Sequence, residues 1–101
     1  MDYDIFRERA LESLREYISL LPEPTIADSK SLFAHRSYSI WAAETILQAV
    51  EKSRRISPVT IIEQFAWKFN KYSCNHYMFA VAHDVALDIL DTVCFLKGEE
   101  R

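Results

Sequence analysis

The feature that most constrains this chain is the stretch NHYMFAVAHDVALDILDTVCFLK, Asn75 to Lys97, which contains no proline and ends at Gly98, the only glycine in the protein. At about 100° per residue, Met78, Val81, Ala82, Val85, Ala86, Ile89, Leu90, Val93 and Leu96 cover well over half of a helix circumference. Asp84, Asp88 and Asp91 form the narrow polar strip that remains. A helix this apolar needs neighbours on several sides, so the rest of the chain has to supply them. Asn75 is the expected N-cap, and Gly98 is expected to close the helix in a left-handed conformation.

Three further helices follow from the apolar spacing. Residues 2–21 place Tyr3, Phe6, Ala10, Leu14, Tyr17, Ile18 and Leu21 on one face and charged residues on the other, until Pro22 and Pro24 stop the helix. Residues 37–52 carry the stripe Ile40, Ala43, Ile46, Leu47 and Val50. Ser57 followed by Pro58 marks a helix start, because proline at the first helical position sacrifices no hydrogen bond. That helix runs over 58–73 and buries Ile61, Ile62, Phe65, Ala66 and Phe69. Between the first two helices, residues 22–36 read as an ordered connection with a possible cap at Asp28.

Strand signals are missing, and the turns after the second and third helices are short. The expected fold is all-α: one domain over 1–101, a compact antiparallel four-helix bundle with the C-terminal helix central.

Composition restricts function more than it suggests one. A net charge of −3 and a pI near 5.6 argue against general affinity for nucleic acid or anionic membranes. No uncharged apolar run reaches the ~18 residues of a membrane span, and the N-terminus MDYDIFRERALE is charged where a signal peptide is apolar. The expected setting is the cytoplasm, with Cys74 and Cys94 as reduced thiols about 30 Å apart along one helix. A single glycine excludes a phosphate-cradling loop, so no nucleotide cofactor is expected.

Catalytic and metal chemistry also lack a complete set. His76 and His83 lie two turns apart with Phe79 and Ala80 between them, so one ion cannot bridge them. His83-Asp84 resembles the His-Asp pair of the HD phosphohydrolases over two residues only, and is not carried over. No nucleophile or oxyanion donor set accompanies that pair, so an enzyme is not expected. The aspartate strip is read as the solvated edge of a buried helix.

Two interaction surfaces are left. Trp41 projects opposite the core stripe of its helix, near Tyr38, and Trp67 shares a face with Thr60, Gln64 and Lys71, away from Phe65 and Phe69. Large aromatics off the core stripe are enriched at protein interfaces. The expected function is therefore a non-catalytic interaction module, self-associating as a homodimer or binding another protein through Tyr38, Trp41, Trp67 and Lys71. The alternative is a small DNA-binding regulator using Lys52, Arg54, Arg55 and Lys68 around the turn into the third helix. The Val, Ile and Glu of SPVTIIEQ at that helix's start weigh against it.

Overall fold

The computed structural model describes residues 3–99, without the side chains of 97–99, and arranges them as α1 (Tyr3–Leu20), α2 (Lys30–Lys52), α3 (Pro58–Tyr72) and α4 (Tyr77–Glu99). Short turns join α2 to α3 and α3 to α4, so each of those pairs runs antiparallel. The start of α1 is tied to the end of α2: Tyr3 Oη donates to the carbonyls of Arg54 and Ile56, both at 3.0 Å. Arg7 Nη2 donates to Glu51 O at 2.9 Å and Val50 O at 3.3 Å, satisfying last-turn carbonyls that lack helical partners. Tyr17 Oη reaches Asp88 Oδ2 at 3.4 Å, and Ser13 and Leu14 line a crevice with Thr92 and Val93, so α1 is antiparallel to α4 as well.

The result is an up-down-up-down bundle in which α4 packs against all three other helices, while α1 and α3 barely meet. The close diagonal is the parallel pair α2 and α4. Ser39, Ala42 and Ala43 of α2 and Ala82 and Ala86 of α4 are all buried, and side chains this small let two backbones come near each other. Around them Leu14, Ile46, Val50, Ile62, Ile89 and Val93 form the fully buried centre. Ser39, a buried polar residue, donates to His35 O at 2.8 Å and so carries no unpaired hydroxyl into the core.

Several local expectations are corrected. α2 starts at Lys30, seven residues before the predicted Ser37, which reduces the connection to residues 21–29. Ser29 Oγ accepts from Leu32 N at 3.2 Å and caps this start. Asp28 is not the cap. Its carboxylate accepts from Thr25 N at 2.9 Å and from Arg36 Nη1 at 2.8 Å, closing the turn and tying it to α2. The Thr25 amide bond, with Arg36 beside it, holds the Asp28 carboxyl below the usual carboxylate range. Residues 30–36 showed no stripe because α2 is longer than α1, with its far end level with α1's start. Its first turns therefore project past α1, and Leu32 and Phe33 stay exposed.

The α4 boundaries move too. His76, rather than Asn75, caps the helix, its Nδ1 accepting from Met78 N at 2.9 Å. α4 then continues through Gly98 to Glu99, and no described glycine has a positive φ. Glycine permits the left-handed turn without imposing it. Ser57 stands at the N-cap of α3 as expected, but its hydroxyl makes no capping hydrogen bond. On α1, Leu11 is buried where it was not anticipated and Tyr3 is exposed. Asp2, the first residue of the predicted first helix, lies outside the described residues.

Candidate protein interface

The upper half of α3, the middle of α2 and the start of α4 bring together a chain of rings. Phe69 is buried at its hub, 5.7 Å from Phe65, 5.8 Å from Trp41 and 6.4 Å from Phe79, centroid to centroid. Tyr72 continues the series at 5.8 Å from Phe79. Beside it, Tyr38 lies edge-on to His76 at 5.9 Å and to Tyr77 at 6.2 Å, and Tyr77 is 6.4 Å from His35. Tilted and edge-on pairs at these separations are the favourable aromatic geometries. The density of rings between Phe65 and Phe79 is the sequence signal that points to this cluster; in the sequence His76 is weighed only as a metal ligand, and Tyr72, Tyr77 and Phe79 are not singled out as part of it.

The four predicted interface residues divide into two kinds. Tyr38 is half-buried among the rings of α4, and Trp41, 40% exposed, leans on Phe69, so both are in part covered by the chain itself. Trp67 is 67% exposed on the outer face of α3. Lys71 stands over it, its ammonium 5.3 Å from the indole centroid and 5.6 Å from the centroid of the Tyr72 ring. A cation over an aromatic face is attracted by the ring quadrupole, so Lys71 steadies the orientation of the indole.

Next to Trp67 the same helix face forms a broad open trough of about 560 Å³, lined by Thr60, Glu63, Gln64, Trp67 and Lys68. All five residues come from α3, whose inner face is taken up by Ile61, Ile62, Ala66 and Phe69.

The basic residues do not form one surface. Arg54 lines a small pocket with Asp4, Arg7 and Glu8, two cations and two carboxylates together, and Glu8 lies 3.7 Å from Arg7. Arg55 and Lys52 are exposed near the same turn, whereas Lys68 stands ten residues beyond Pro58, about 15 Å along α3, next to Trp67.

Other candidates are placed as follows. Asp84, Asp88 and Asp91 are exposed along α4, but Leu87 and Phe95 share the solvent side with them, Phe95 at 68% exposure. His83 is half-buried beside the exposed Asp84. Cys74 and Cys94 are free and exposed. Among the described residues, no three His, Cys, Asp or Glu side chains are grouped to hold a metal ion, and no helix is long and apolar enough to cross a membrane. Tyr17 is pushed up to about 12, first by burial and then by the charge and hydrogen bond of Asp88, which suits a structural tether between α1 and α4.

Compared with known protein families, curated proteins and solved structures, the chain matches none.

Proposed function

We propose that this protein is a non-catalytic helical interaction module that self-associates through the aromatic surface carrying Tyr38, Trp41, Trp67 and Lys71. One observation carries the reading: Trp67 is two-thirds exposed on a helix whose Ile61, Ile62, Ala66 and Phe69 are buried and whose other exposed ring, Tyr72, is 38% exposed. A tryptophan left in water forfeits much of what burial contributes, roughly 25 cal/mol per Å², and aromatic anchors of this kind dominate protein interfaces. Trp41 and Tyr38 fit the rim of such a surface, since the chain's own rings already hold them in place.

Nucleic-acid binding is the less favoured reading, because Arg54 sits in a pocket where Arg7 is accompanied by Asp4 and Glu8, and Lys68 stands about 15 Å along α3 from the turn that carries Lys52 and Arg55. The test is solution mass by light scattering across a concentration series, for the natural chain and for Trp67→Ala. The expected result is a concentration-dependent dimer that weakens in the variant, with helix content by circular dichroism unchanged. A natural chain that stays monomeric up to millimolar concentration overturns the reading.

A further inference from the structure

The outer face of α3 carries a pattern that specifies how a second copy would sit on it. Thr60, Gln64, Trp67 and Lys71 follow one another at spacings of four, three and four, the seam spacing of two helices packed side by side. Thr60, Glu63, Gln64 and Trp67 mark out a four-residue diamond, the shape of hole that receives one side chain from a facing helix, and these are four of the five residues lining the trough. Glu63 and Lys68 flank the seam on opposite sides, five residues and about 140° apart, so they cannot pair within one chain. Neither has an ion-pair partner among the described residues.

Direction follows from charge. If two α3 helices ran antiparallel about a two-fold axis, each flank would face its own kind, placing Lys68 beside the Lys68 side of the other copy. If they run parallel, Glu63 of each copy faces the Lys68 side of the other, giving two opposite-charge contacts against the single Lys71–Lys71 approach that the same register brings across the axis. We infer that two copies of this chain pair in parallel through the outer faces of α3, with Gln64 of each seated in the trough of the other, Trp67 against Trp67 across the axis, and two reciprocal Glu63–Lys68 ion pairs at the rim. This rests on the self-association reading above and adds its geometry.

α3 is 15 residues, about 22 Å long, and its seam is largely polar, so the contact falls at the small end of specific interfaces. The dimer is accordingly weak and concentration-dependent, and it loosens with salt.

Charge exchange tests the geometry. Glu63→Lys and Lys68→Glu are each expected to raise the dimer dissociation constant about tenfold, because each places like charges at both rim contacts. The double variant Glu63→Lys/Lys68→Glu restores opposite charges in the parallel arrangement and returns the constant to near that of the natural chain. In an antiparallel pair like charges face each other in the natural chain and in all three variants, so neither single substitution weakens the dimer and the double variant has no loss to recover. Analytical ultracentrifugation of the four proteins reads the result, with circular dichroism checking that each is folded. A natural dimer that neither single variant weakens, or whose double variant stays as weak as the single ones, overturns the parallel pairing and leaves self-association standing. A natural chain that is monomeric throughout overturns both.

Discussion

Replacing each tryptophan by alanine in turn should separate two side chains that look alike in the sequence. Trp41 has three-fifths of its surface covered and Trp67 one-third. With up to about 250 Å² per tryptophan, the covered areas are about 150 Å² and about 80 Å². At ~25 cal/mol per Å² these correspond to about 4 and about 2 kcal/mol. Both are upper bounds, because an unfolded chain already shields part of this area, but their difference of about 2 kcal/mol is less sensitive to that reference. Trp41→Ala further loses its contact with Phe69, and Trp67→Ala loses the Lys71 cation, terms of similar size, about 0.5–1.5 and 0.5–1 kcal/mol. The gain in helix propensity on going to alanine applies equally to both. Urea unfolding, at a protein concentration low enough to keep the chain monomeric, is expected to give Trp41→Ala the lower midpoint by the equivalent of about 2 kcal/mol, with unchanged slopes. Equal losses, or a larger loss for Trp67→Ala, would show that the chain itself covers Trp67, and would refute the assignment of that residue to an interface.

Two further substitutions probe how α1 is held. Tyr17 has its folded pKa raised, so the stability it contributes is present below the unfolded value near 10 and is lost as pH climbs toward 12. Tyr17→Phe should therefore flatten the alkaline fall in melting temperature over that window, relative to the natural chain; identical pH profiles would count against the α1–α4 tether. Arg7→Ala removes the donor to Val50 O and Glu51 O and should cost about 1–2 kcal/mol by thermal unfolding. Hydrogen exchange should localise that loss to the last turn of α2, and a loss spread evenly over all four helices would contradict it.

Much of the fold was legible in the sequence because helix formation is local. The 3.6-residue spacing of apolar side chains located four helices, Ser57-Pro58 marked the start of the third, and the breadth of the apolar face around Val81–Val93 identified α4 as the member that meets all others. The mistaken boundaries lie where a helix end has no core opposite it. α2 extends back to Lys30 through turns that touch little, so no hydrophobic period recorded them, and the cap at Ser29 was passed over for Asp28. His76 as the cap of α4 was unreadable for a different reason: a ring nitrogen accepts from an amide only when the backbone brings it there.

The candidate site was half legible. Periodicity placed Trp41 and Trp67 off their core stripes and grouped Trp67 with Thr60, Gln64 and Lys71, since these positions depend on one helix alone. That Trp41 rests on Phe69, that Tyr38 is wedged against His76 and Tyr77, and that Arg54 shares a pocket with Asp4, Arg7 and Glu8 were decided by how separate segments of the chain pack. The sequence by itself determined most of the residues each helix turns inward, because that is set by rotation about a single axis, while Leu11, Ser39 and Ala42 were added by the neighbours packed beside them. Only the tertiary structure decided which of the outward-facing aromatics the chain covers for itself, because covering them depends on how four axes are arranged and on where each helix ends.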